Sequence, residues 1–194
     1  SNTTGHNNIA NGYQSLFFNT TGFFNTANGA QSLYRNTTGI ANTSIGFRSL
    51  LDNTTGNNNT ASGSESLARN TTGSNNTANG GASLIFNTIG SFNTANGAYS
   101  LRNNTTGSNN TVNGYQSLFS NTTGSNNTAV GDSAGFLSTG NKNVFIGNFA
   151  GYYESTGSGK LYLGNDSNKT IMYGDFLTGQ VLLGSPQPTG YTFK

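Results

Sequence analysis

The chain has 194 residues, and only 7% of them are charged where about 25% is usual. A formal charge of +2, from 8 basic and 6 acidic residues, leaves no basic face for nucleic acid. Cys is absent, which excludes disulfides and thiolate metal sites. Low hydrophobicity alone would suggest disorder, but 13 Phe and 9 Tyr placed at regular intervals argue for a folded chain. No apolar run approaches the roughly 18 residues of a membrane span. The sequence begins within a repeat at Ser1 and stops abruptly at Lys194, which reads as a segment of something longer, and no signal peptide is present.

From the first residues onward the chain is periodic. Asn-Thr recurs at Asn2, Asn19, Asn36, Asn53, Asn70, Asn87, Asn104 and Asn121, always 17 residues apart. The unit is N-T-T-G-x-x-N-T-A-N-G-x-x-S-L-x-x. Gly stands at its fourth position, from Gly5 to Gly124, and at its eleventh, from Gly12 to Gly131. One residue is then lost, and the pattern runs on through Gly140/Gly147 and Gly157/Gly164, giving ten units in all. A unit this short buries its apolar groups only by stacking on its neighbours. Two Gly-containing turns leave two segments per unit, N-T-A-N-G and S-L-x-x, each long enough for a short strand. The architecture expected is all-β, a parallel β-solenoid or β-roll, about 50 Å long at ~4.8 Å per coil. The rival is a β-meander built on Asn-Gly hairpins. Independent hairpins let turn lengths drift, whereas in a solenoid an insertion moves every later side chain off its ladder.

Alternation along a strand then sorts the positions. The fifteenth is Leu seven times running, Leu16 to Leu118, and must be core. The sixteenth (Phe17, Tyr34, Leu51, Ala68, Ile85, Arg102, Phe119, Phe136, Tyr152) should point outward as an apolar seam interrupted only by Arg102. Such a seam reads as an interface between chains lying side by side. The alternative is a bend that turns both positions inward. The other segment has two readings. Its eighth and tenth positions, mostly Thr and Asn but Val144 and Ile146, then Leu161 and Leu163, in the late units, would bury polar ladders if they face the core. If the ninth faces inward, Ala10, Ala27, Ala61, Ala78, Ala95 and Ala129 make a thin core.

After Asp132 the unit changes: Ser-Leu becomes Ala134-Gly135 and Ala150-Gly151. Ile171–Phe176 and Val181–Gly184, before Pro186 and Pro188, read as strands of a capping or transition module. The chain divides into 1–164, the repeat array, and 165–194, the C-terminal capping segment.

No chemistry of catalysis or cofactor binding emerges, and the chain reads as a non-enzyme with no catalytic, cofactor or metal residues. His6 is the single His. Asp52, Glu65, Asp132, Glu154, Asp166 and Asp175 are dispersed, with none repeating in register. The calcium-binding G-G-x-G-x-D repeat is absent. Ser155–Lys160 imitates a phosphate loop, but Glu154 stands where the first Gly is needed and Leu161 follows the Lys; it reads as another corner. N-x-[ST] sequons such as Asn75-Asn76-Thr77 arise automatically in an Asn/Thr repeat.

Asn127-Thr128-Ala129-Val130-Gly131, Asn42-Thr43-Ser44-Ile45-Gly46 and Asn143-Val144-Phe145-Ile146-Gly147 resemble the S-V-A-I-G motif in the heads of bacterial trimeric autotransporter adhesins. Those are left-handed parallel β-rolls in which three chains associate along their length and bind host or matrix molecules. The resemblance covers about residues 2–164 and implies that Ile45, Val130 and Ile146 are core. The period of 17 is longer than that family's usual 14 or so, and Asn at most tenth positions departs from it. The later T-G-x-x-N-x-x-x-G-x-x-A-G-[FY] units and Tyr173–Phe176 look like repeats of phage tail fibres and of Bacteroidetes-type surface proteins. These resemblances imply a homotrimeric extracellular fibre, on a cell surface or virion, with a host-surface, matrix or carbohydrate receptor. The Thr ladders also resemble β-roll ice-binding proteins, which implies a hydroxyl array that orders water. The function expected is a structural or adhesive fibre segment, with ice binding as the alternative.

Overall fold

A computed structural model describes residues 3–167 and 169–184; Asn2, Pro186 and Pro188 lie outside them. The described chain is all-β and forms a parallel β-solenoid of about nine turns of roughly 17 residues. Its strands are β1 Ile9–Asn11, β2 Thr26–Asn28, β3 Thr43–Ile45, β4 Thr60–Ser62, β5 Thr77–Asn79, β6 Thr94–Asn96, β7 Thr111–Asn113, β8 Thr128–Val130, β9 Val144–Ile146, β10 Lys160–Gly164, β11 Thr170–Asp175 and β12 Gln180–Leu183. They form one sheet in chain order. Strands β1 to β10 pair in parallel and in register, Thr on Thr and Ala on Ala through most of the array. Parallel neighbours exclude the meander. The tenth unit does not complete a turn, because β10 pairs antiparallel with β11, and β11 with β12.

Each coil carries one strand and not the two expected. The Ser-Leu segment is a run of turns, because its thirteenth and fifteenth positions are both left-handed, as at Gln14 (φ 55°), Leu16 (φ 50°), Gln116 (φ 52°) and Leu118 (φ 47°). That conformation costs a Leu roughly 1–2 kcal/mol. Full burial of the side chain, worth about 1.5–3 kcal/mol, offsets it. The Leu column is core as expected, with Leu33 to Leu118 inaccessible to solvent. The bend also leaves the sixteenth column half-buried. Ala68 is covered, Phe17 on the first coil is exposed, and Tyr34, Leu51, Ile85, Phe119 and Phe136 lie between.

The three-residue strands settle the other wall. The ninth position points inward: Ala27, Ala61, Ala78, Ala95, Val112 and Ala129 are fully buried. The eighth and tenth point outward. Ile45 (44% exposed), Val130 (39%) and Ile146 (40%) are therefore surface residues, contrary to the core placement implied by the adhesin motif. The reason is alternation: with Ala opposite the Leu column, its neighbours on either side must face away.

Buried polar ladders do exist, at the first and seventh positions. Asn at both is buried throughout β2 to β8. Asn76 donates from Nδ2 to Asn59 Oδ1 (3.2 Å) and to the Gly90 carbonyl (2.9 Å), while its own Oδ1 accepts the Asn93 backbone N–H (3.0 Å). Asn87 Nδ2 donates to Asn70 Oδ1 (2.8 Å) and to the same Gly90 carbonyl (2.9 Å), so the two ladders are tied together at each coil from Gly22 to Gly124. At the corner, Thr37 Oγ1 and the N–H groups of Thr37, Thr38 and Gly39 all donate to the Thr54 carbonyl. Glycine at the eleventh position is dictated by stacking: Gly63 has φ 134°, and a Cβ there would meet the Gly80 backbone at 2.7 Å.

Candidate functional site

Two outer walls are available to a partner, the sheet face and the turn wall. On the sheet face the eighth and tenth columns carry no charged residue from Ile9 to Leu163. Columns repeat every ~4.8 Å along the rod, and the two stand ~6.6 Å apart across it. Thr26, Thr43, Thr60, Thr77, Thr94, Thr111 and Thr128 line one column, half-buried or exposed. Their hydroxyls make no hydrogen bond to another described residue, unlike the second-position Thr hydroxyls from Thr3 to Thr105, which are held by the next coil's carbonyl, as Thr71 Oγ1 is by Thr88 (3.0 Å). In the tenth column Asn79 Nδ2 donates to Asn96 Oδ1 (2.9 Å).

Toward the C-terminus the same face turns apolar. Val130, Val144, Ile146, Leu161 and Leu163 replace Thr and Asn. The antiparallel register puts Met172 opposite Leu163, and Leu183 opposite Met172, so β11 and β12 extend this face. Val181 (60% exposed) and Leu183 (73%) are open on it.

The turn wall carries the sixteenth and seventeenth columns. Phe119, Phe136 and Tyr152 stack face to face with centroids 5.0 and 4.9 Å apart, and Phe17 stacks on Tyr34 at 5.7 Å. Arg102 interrupts the ladder, its guanidinium 4.9 Å from the Phe86 ring centre and 5.4 Å from that of Phe119.

Residues singled out for chemistry are spread out. His6 is exposed and stacks on Phe23 (5.1 Å). Lys160 in the phosphate-loop look-alike donates to Asp175 Oδ2 (2.7 Å) across β10 and β11, and the Gly157 N–H donates to Glu154 Oε1 (2.8 Å). The Lys160 ammonium and the Gly157 N–H are thus both taken by carboxylates. The hydrogen bond from Lys160, then that from the Leu177 N–H, hold the Asp175 carboxyl below the usual range, and the same pairing raises Lys160. Tyr162 is pushed up by burial and by its 2.7 Å hydrogen bond to Glu154. Among the described residues no three His, Asp or Glu gather as metal ligands, and no helix is long and apolar enough to cross a membrane.

Compared with known proteins, the chain matches no family model, no curated protein and no solved structure. The buried Asn ladders and the Arg–Phe contacts were missed in the sequence. The signal for the ladders was Asn at the seventh position of all eight regular units, a regularity that turn chemistry alone does not demand.

Proposed function

We propose that the chain is a structural and adhesive fibre segment, in which three copies lie parallel and side by side on a cell surface or virion. The observation that carries this is the uncharged sheet face with its apolar C-terminal end. Interface cores are depleted of charge and rich in apolar groups, and an exposed patch of this kind marks association. A parallel copy sets each outward position on its like, Ile146 on Ile146 and Leu163 on Leu163, and the Thr/Asn columns on each other. An antiparallel copy would set the apolar end on Thr and Asn. The sheet face suits this role better than the sixteenth column, whose rings already stack on one another and which carries Arg102. Strands β11 and β12 act as the cap, covering the edge that β10 would otherwise leave open. The rod is not an enzyme; it positions a binding surface for a host, matrix or carbohydrate receptor. Light scattering on residues 1–194 tests it: three times the chain mass is expected, reduced to one by Ile146→Lys with Leu163→Lys. A wild-type monomer at every concentration overturns the reading.

The free hydroxyls of the Thr column favour a second reading, a water-ordering, ice-binding face. It requires that face to be open, so a monomer with ice-recrystallisation inhibition that is lost in Thr77→Lys would establish it in place of the fibre.

A further inference from the structure

The turn wall holds a cationic feature that self-association leaves unused. Arg69 and Arg102 both approach the Phe86 ring, at 5.8 and 4.9 Å from its centre. Neither has a carboxylate within ion-pair distance among the described residues, whereas Arg35 is paired with Asp52 at 3.4 Å. Arg102 spends one N–H on Asn103 Oδ1 (3.0 Å). Its other N–H groups, and those of exposed Arg69, remain available to an anion. The two residues stand on coils two apart, which is ~9.6 Å along the rod. The rungs follow one another along the axis, so a chain-like ligand lying along the rod can meet both side chains. Beside both guanidiniums, half-buried Phe86 presents an aromatic surface on which an uncharged ring can rest. Two cations without an ion-pair contact, gathered at one aromatic ring, complement a linear polymer that carries anionic groups between neutral sugars.

We propose that the turn wall around Arg69, Phe86 and Arg102 binds an acidic polysaccharide laid along the rod, its carboxylates taken by the guanidiniums and an intervening neutral sugar stacked at Phe86. This names the ligand class for the adhesive surface of the fibre reading, and takes from that reading only that the turn wall stays accessible.

The probe is fluorescein-labelled hyaluronan, which carries one carboxylate per disaccharide, titrated with residues 1–194 at low ionic strength. Binding is expected, with none to neutral dextran, and salt should weaken it as for any protein on a polyanion. Arg69→Gln and Arg102→Gln should each weaken it roughly 10-fold, the size of a lost charged hydrogen bond, and the double variant should abolish it. Phe86→Leu should weaken it without changing the salt dependence. Lys142→Gln, on another corner, should bind as wild type. Absence of wild-type binding overturns the proposal, as do arginine variants that bind as tightly as Lys142→Gln, or equal affinity for single-stranded DNA, which would show a response to charge alone. Scattering mass on the same samples separates the two readings: failed binding by an intact trimer removes this inference and leaves the fibre, while binding by a monomer keeps it and removes the fibre.

Discussion

The coils carrying β2 to β7 and the coil carrying β9 solve the same packing problem in opposite ways. In the first region a small residue on the strand, Ala at most coils, faces a Leu on the turn wall. At β9 the sizes invert. Phe145 is fully buried on the strand, and the wall positions above and below are Gly135 (φ 62°) and Gly151 (φ 60°). A Cβ on Gly135 would meet Phe145 Cδ2 at 2.6 Å. The backbone of the wall is left-handed in both regions, so the exchange conserves shape while moving volume across the core. The change from Ser-Leu to Ala-Gly after Asp132 is thus one half of a compensated pair. Its other half is visible only once Phe145 is known to point inward. The polar ladder changes at the same place: Asn121 Oδ1 is buried without a hydrogen-bond partner, because Ser138 stands where the next Asn would donate.

Breaking the inverted core should have the largest effect. Phe145→Ala leaves a cavity between two glycines and should cost about 3–5 kcal/mol, read by denaturant unfolding. Adding Gly135→Leu and Gly151→Leu converts this coil to the other type and should recover much of that loss. Additive destabilisation in the combined variant would show that the two solutions are not interchangeable. Next comes the ladder that only the first region completes. Asn76→Ala orphans the Asn93 N–H and removes a donor from the Gly90 carbonyl, at about 1–3 kcal/mol per stranded group. Thr77→Ala, one residue on but outward, should change stability by under about 0.5 kcal/mol. Ser138→Asn extends the ladder across the junction and should raise stability by about 1 kcal/mol if its amide reaches Asn121; an unchanged melting temperature would mean that the shortened coil keeps the two apart.

The smallest effect lies at the antiparallel end. Asp175 is depressed, so its contribution is present above the unfolded carboxylate value of about 3.9 and is lost as pH falls through its lower folded value. Lys160 is raised, so its contribution is present below about 10.4 and lost only as pH climbs beyond that. Melting temperature should therefore respond to this pair in acid and in strong base and stay flat between. Asp175→Asn should remove the acid response; a wild-type slope near neutral pH would assign it to other groups.

Much of the architecture was legible before any coordinates. Seven identical 17-residue spacings, invariant Gly columns and a Leu repeated at one position are consequences of stacking, so period, parallel pairing and the Leu core could be read directly. Facing was not legible, because a three-residue strand gives alternation too little length to declare itself, and Thr-Ala-Asn offers no strong apolar residue to mark the inside. Nor was the missing second strand. Two left-handed residues in each Ser-Leu segment, one of them a buried Leu, run against local preference and are held there by the coils above and below. The same holds for Asn, whose first- and seventh-position side chains look like turn residues and are structural rungs. Local chemistry sets which residues can repeat; only the closed coil, where each rung meets its copies, decides which of them the rod hides and which it shows.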